Sequence, residues 1–104
     1  MTQHIPLVVK KMLFYDGKLH RLTPTEVKLL SHLTVNHNRT KPLSKREYSE
    51  VLGCNIKTFE RTIASLKRRG LLEVTPRFGE SGGQLSNCYR LSEKMEIVLL
   101  AQQL

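Results

Sequence analysis

The chain has 104 residues, 39% of them hydrophobic, and its seventeen Lys and Arg against nine Asp and Glu give a formal net charge of +8. That length suits one compact domain with a modest core and leaves no room for a second, while the cationic excess sets up a field that favours polyanions, nucleic acid first among them. Cys54 and Cys88, the two cysteines, have no second Cys or His at metal-ligand spacing and make no disulfide scaffold, and apolar stretches such as Leu7 to Val9 and Ile97 to Ala101 are far shorter than the roughly 20 residues of a membrane span.

Taken in chain order, Lys10 and Lys11 interrupt the first apolar stretch before a signal peptide's hydrophobic region is complete, which points to a cytoplasmic protein with reduced thiols. Ile5 to Leu22 mixes β-branched residues with these lysines and a turn at Asp16-Gly17, and it is compatible with a short helix or with a pair of strands. Thr23-Pro24-Thr25-Glu26 then supplies an N-cap hydroxyl, a proline at the first helical position and a carboxylate at the third. A helix is predicted to start there, stapled by Leu22 and Val27, with Val27, Leu29, Leu30 and Leu33 as its buried stripe and an end near Asn36. His32 and His37 have no partner at ligand spacing and read as solvated or weakly packed.

After a polar loop with Asn38, Arg39, Thr40 and Pro42, Ser44-Lys45-Arg46-Glu47 repeats the capping pattern, with Leu43 placed to staple against Tyr48. This second helix is short and ends at Leu52, where Gly53 suits a left-handed closing position. Asn55 caps a third helix running through Arg69 and closed by Gly70. Leu71 to Thr75 and Leu85 to Leu91 alternate as the strands of a β-hairpin, with Leu85, Tyr89 and Leu91 on one face. The connection from Pro76 to Gly83 is glycine-rich and long enough to project as a flexible loop. From Ser92 a last helix is expected, whose apolar Met95, Ile97, Val98, Leu99, Leu100 and Leu104 occupy more of its circumference than one packing face requires.

Successive helical residues turn through about 100°, so Ile56, Phe59, Ile63 and Leu66 share the core side of the third helix and Lys57, Arg61, Ser65 and Arg68 the opposite side, with Thr58 on its flank. With Lys67 and Arg69 this helix carries five cations against the single acid Glu60. A face of Lys, Arg, Thr and Ser opposite an apolar one suits the major groove, where guanidinium forks pair with guanine and hydroxyls serve more than one base edge. Ser44, Lys45 and Arg46, at the start of the second helix, are placed to clamp a phosphate oxygen. Arg69 points away from the middle of the polar face and is expected only to offset the helix C-terminus.

Leu22-Thr23-Pro24-Thr25-Glu26, followed by Leu43-Ser44 through Arg69-Gly70-Leu71-Leu72-Glu73-Val74, resembles the winged helix-turn-helix superfamily over roughly residues 20–92. The Thr58-Phe59-Glu60-Arg61 stretch looks closest to compact domains of phage and plasmid replication proteins and small bacterial regulators. The resemblance implies a fold that is mainly α with a small β-hairpin, α+β in class: one winged helix-turn-helix domain over residues 1–104, with 93–104 as an added helix. It also implies a sequence-specific double-stranded DNA-binding protein, a transcriptional regulator or an accessory factor in replication, partition or transfer. Lys57, Thr58 and Arg61 would then face bases, with Asn55, Ser65 and Arg68 beside them, and Arg77 and Arg90 would serve a wing of about residues 76–84.

No cofactor and no enzymatic activity are expected. Asp16 is the one aspartate, so the paired aspartates of metal-dependent nucleases cannot be assembled, and Gly79 to Gly83 lacks the Gly-Lys-Ser/Thr ending of a phosphate-binding loop. The apolar excess from Met95 to Leu104 suggests a homodimer built on the last helix and the N-terminal segment. Two alternatives compete with duplex binding. A winged-helix protein-interaction module would lack sequence preference for DNA, and a single-strand or RNA binder would need more exposed aromatics than Phe78.

Overall fold

The computed structural model describes residues 9–35, 43–79 and 84–103, with the backbone alone at 78 and 84–86. Leu7, Asn36, His37, the polar loop 38–42, the wing tip 80–83 and Leu104 lie outside the described residues. In the N-terminal region, where a helix and strands were both open, the chain forms strands. β1 (Met12–Tyr15) and β2 (Lys18–Arg21) pair antiparallel, with Met12 opposite Arg21 and Tyr15 opposite Lys18. Asp16 and Gly17 take φ of 51° and 81°, the two-residue turn whose twist matches a hairpin and which glycine adopts without steric cost. Leu13 and Tyr15 face inward and are buried, while Met12 and Phe14 remain exposed.

α1 (Pro24–Val35) starts on the expected reciprocal cap: the Thr23 N–H donates to Glu26 Oε1 at 2.8 Å and the Glu26 N–H donates to Thr23 Oγ1 at 3.1 Å. α2 (Lys45–Leu52) has the same device, the Ser44 N–H to Glu47 Oε1 at 2.9 Å and the Glu47 N–H to Ser44 Oγ at 3.1 Å. Gly53 closes α2 at φ 68°, and the Cys54 N–H reaches back to the Ser49 carbonyl at 3.0 Å. α3 (Ile56–Arg68) begins immediately afterwards, with Asn55 Oδ1 accepting the Thr58 N–H at 2.7 Å.

The second hairpin joins β3 (Leu72–Phe78) to β4 (Gln84–Leu91). Here the expectation needs correction: Pro76, Arg77 and Phe78 belong to β3, so the strands are longer and the connecting loop shorter than the glycine content suggested. Pro76 has no N–H to give, and the pairing accommodates it by a shift of register: Thr75 faces Cys88 and Arg77 faces Leu85, so two β4 residues stand against the one proline. Tyr89 is buried and Leu91 half-buried as expected, whereas Leu85 lies beyond this bulge and its side chain is outside the described residues.

α4 (Glu93–Gln102) follows on a Ser92 cap and buries Met95, Val98 and Leu99. Ile97 at 59% and Leu100 at 57% exposure are left in solvent, the uncovered apolar surface expected of this helix. The order α1, α2, tight turn, α3 and a β3–β4 hairpin is a winged helix-turn-helix arrangement of α+β class, extended by the β1–β2 hairpin at one end and α4 at the other. Leu13, Leu29, Phe59, Leu66, Leu71 and Leu99 meet in one core with no exposure, each contributing about 1.5–3 kcal/mol of burial.

Candidate nucleic-acid interface

Three rings fix the inner side of α3. Phe59 stacks on Tyr48 of α2 with centroids 5.2 Å apart, and Tyr89 of β4 meets both edge-on, at 5.6 Å and 5.4 Å. Burial, with smaller contributions from neighbouring Cys88 and Tyr89, pushes the Tyr48 hydroxyl up to about 12, so this ring stays neutral at any working pH. His32 of α1 adds its ring edge-on to Tyr48 at 5.6 Å; it is half-buried, more embedded than its sequence context suggested, and burial lowers its pKa.

The core side of α3 differs in one respect from the expected set. Ile56 is 43% exposed, and Thr62 is buried in its stead, its hydroxyl donating to the Thr58 carbonyl at 2.8 Å. The two residues flank Phe59 at about 60° on opposite sides, and the Thr62 side is the one toward α1. The outward face is displaced to match. Lys57, Arg61, Ala64 and Arg68 occupy its middle and are exposed, and Glu60 and Lys67 lie on the flank nearer the wing. Ala64 stands at the centre of this face, where only polar groups were expected; a small apolar residue there would allow close approach to a partner and would suit a thymine methyl.

The remaining candidates divide by what they already hold. Ser65 is half-buried: its hydroxyl donates to Glu26 Oε2 at 3.2 Å and accepts from Arg69 Nη2 at 2.9 Å. Asn55 is exposed but uses Oδ1 as a cap, and Ser44 is likewise occupied by capping. Lys45 lies 3.8 Å from Glu60 and Arg46 3.8 Å from Glu50, loose and solvent-exposed pairs that hold neither cation firmly. Through the first of these pairs the only acid of α3 is offset by a lysine at the start of α2. Arg77, half-buried, sits past the bulge of β3, and Arg90 is exposed opposite Glu73. Among the described residues, Arg61 and Arg68 have no carboxylate partner.

Arg69 does more than offset a helix end. Its Nη2 pairs with Glu26 Oε2, and Nη1 lies 3.5 Å from the Tyr15 hydroxyl. The carboxylate is 3% and the guanidinium side chain 25% exposed, so this is a nearly buried ion pair joining the start of α1 to the end of α3. The helical wheel held one signal for it, since Arg69 falls about 20° from Thr62, on the core's margin rather than on the open face. The same end of α3 is tied further. Ser92 Oγ donates to the Gly70 carbonyl at 2.6 Å while accepting the Met95 N–H at 3.1 Å. Lys94 Nζ reaches Asp16 at 2.7 Å and the Arg69 carbonyl at 3.4 Å, over the Tyr15 ring at 5.1 Å.

The result is a helix with its inner side and C-terminal end clamped and a cationic stripe facing outward. Such a body can present fixed guanidinium and ammonium groups to a polyanion without reorganising. No protein-family model matches the chain, and no curated protein does. Among solved structures, one from Methanosarcina mazei Go1, named a possible transcriptional regulator, is similar over 88% of this chain and 82% of its own at 17% identity, with a TM-score of 0.57. At that identity the likeness shows a shared fold.

Proposed function

We propose that the protein is a sequence-specific double-stranded DNA-binding protein without chemistry of its own, with α3 in the major groove and the β3–β4 wing on the backbone or adjoining minor groove. The observation that carries this reading is the outward stripe of Lys57, Arg61, Ala64 and Arg68 on a helix whose other side is locked by aromatic packing. Lys57, Thr58 and Arg61 serve base edges in this reading; Lys45, Arg46 and Arg77 serve phosphates. Ser65 acts behind them, positioning through Glu26 and Arg69 rather than touching a base. The role is that of a small transcriptional regulator or an accessory factor in plasmid or phage replication, partition or transfer, and the fold shared with a possible regulator of Methanosarcina mazei is in keeping with it. Among the described residues no helix is long and apolar enough to cross a membrane.

The functional unit in this reading is a homodimer presenting two copies of α3. Ile97 and Leu100 on α4, and Met12 and Phe14 on the adjacent β1, are large apolar side chains left in water, which supports a second copy covering them. Selection of bound sequences from random duplex DNA tests the first proposal: a consensus is expected, and the absence of duplex affinity even in dilute buffer overturns it. Analytical ultracentrifugation at tens of micromolar tests the second, and a monomer there removes the dimer.

A further inference from the structure

Beside α3, on the flank away from the wing, lies an open cleft of about 530 Å³ between that helix and the corner where β2 passes into α1. Arg21, Arg61 and Arg68 line it together with Thr25 and Thr58, and the Glu26–Arg69 pair is also part of its wall. Both carboxylate oxygens of Glu26 are already engaged, Oε1 by the Thr23 N–H and Oε2 by Ser65 and Arg69, so its charge is matched within the wall. Three guanidinium groups are left over; among the described residues none of Arg21, Arg61 and Arg68 has a carboxylate within ion-pair distance. Arg21 comes from the N-terminal hairpin, outside the three-helix and wing arrangement, and sequence reasoning gave it no role.

Guanidinium and hydroxyl side chains lining one concavity are the donor set of a phosphate oxygen site; Arg21, Arg68 and Thr25 are its ligands in this reading, while Arg61 and Thr58 keep the base edges assigned above. The size of the cleft favours a phosphate carried on a larger molecule over a lone ion, which would leave most of the volume to water. A helix lying in a major groove has a row of phosphates on each side. Lys45 and the wing stand on one flank of α3, and this cleft opens on the other. We propose that the cleft is a phosphate-binding site that seats a phosphodiester of the DNA backbone, with Arg21 as a ligand supplied by the β1–β2 hairpin. The inference rests on the duplex-binding reading, which it deepens by assigning the second phosphate row.

The test compares wild type with Arg21→Gln on a selected duplex and on a random one, over a series of salt concentrations. Lys18→Gln serves as control, because Lys18 is an exposed cation of the same strand outside the cleft. Each neutralised phosphate contributes roughly 0.9 to the slope of log affinity against log salt, so losing one contact costs about eightfold at 0.1 M salt and about twofold at 0.4 M. Arg21→Gln is expected to show that loss on both duplexes and Lys18→Gln a clearly smaller one. A methylphosphonate placed at each backbone position in turn should reveal one site whose neutralisation weakens wild type but not Arg21→Gln. Equal losses for the two variants, or no such position, overturn the site while leaving the duplex reading intact.

Failure of wild type to bind any duplex is a failure of that reading, and inorganic phosphate then separates the remaining cases. Saturable amide shifts at Thr25 and Thr58 would mark a site for a free phosphate ligand and overturn its assignment to the backbone. Their absence would overturn the phosphate site itself.

Discussion

Arg68 and Arg69 are consecutive, equally charged and placed at the same helix end, yet one stands in solvent and the other lies against a carboxylate that is 3% exposed. A turn of about 100° separates them. Arg68, with Lys57 and Arg61, belongs to the face that is open to a partner. Arg69 belongs to the clamp that holds this face in place, through Glu26, Ser65 and Tyr15. Net charge on a helix is therefore not one quantity: a guanidinium in water supplies field and donors to a ligand, and one in a nearly buried pair supplies orientation to its own chain.

The largest effect that can break this distinction is on folding. Glu26→Ala removes a helix cap worth about 1 kcal/mol and strands the Arg69 guanidinium, for which a fully buried site would give 3–5 kcal/mol. Because the arginine is one-quarter exposed, a total of about 3 kcal/mol is expected in urea unfolding. Arg69→Ala should cost a similar amount by orphaning the carboxylate. Replacing both residues by apolar ones of like volume, Glu26→Leu with Arg69→Met, should recover most of the loss. Arg68→Ala is expected to stay within about 0.5 kcal/mol of wild type. Equal destabilisation by the two arginine variants would erase the comparison.

A second, smaller effect appears in binding. Arg61→Ala should leave stability unchanged, cost on the order of 1 to 3 kcal/mol on a selected duplex, and relax base preference at one position. Arg77→Ala, on the wing, should weaken all sequences about equally. Titration of both variants against a selected and a random duplex measures this. Equal losses on the two duplexes for both variants would show that α3 is not the reading helix.

How much of this was legible beforehand follows the range of the interactions involved. The caps at Thr23, Ser44 and Asn55 were readable because each closes between residues three apart, and with them came the starts of three helices. The N-terminal strands were not, since four-residue strands are defined by what they pair with and against; only the Asp16-Gly17 turn spoke locally. The wheel located the polar face of α3 but could not say which neighbour covers which flank, so Ile56 was placed inside and Thr62 overlooked. Pro76 looked like a loop residue because its missing N–H was visible and the bulge that accommodates it was not. The Glu26–Arg69 pair spans 43 residues, and capping had already supplied Glu26 with a sufficient local role.

The smallest expected effect probes a cation that forms only in acid, on the inner side of the α2–α3 pair. His32 sets its ring edge 5.6 Å from Tyr48, which in turn stacks on Phe59, and burial lowers its pKa from the usual 6.5. The unfolded chain therefore binds a proton that the folded chain resists. Stability contributed by neutral His32 is fully present above pH 6.5 and is lost as the pH falls through the depressed value. Ordinary carboxylates, with pKa near about 4, stay ionised through most of that window. Thermal unfolding followed downward from neutral pH should show a decline in wild type that is weaker in His32→Gln, the difference belonging to this ring alone. Parallel profiles would mean that the inner side of these helices accepts a positive charge as readily as the outer side does, and the division between Arg68 and Arg69 would then owe less to burial than to the one carboxylate within reach of Arg69.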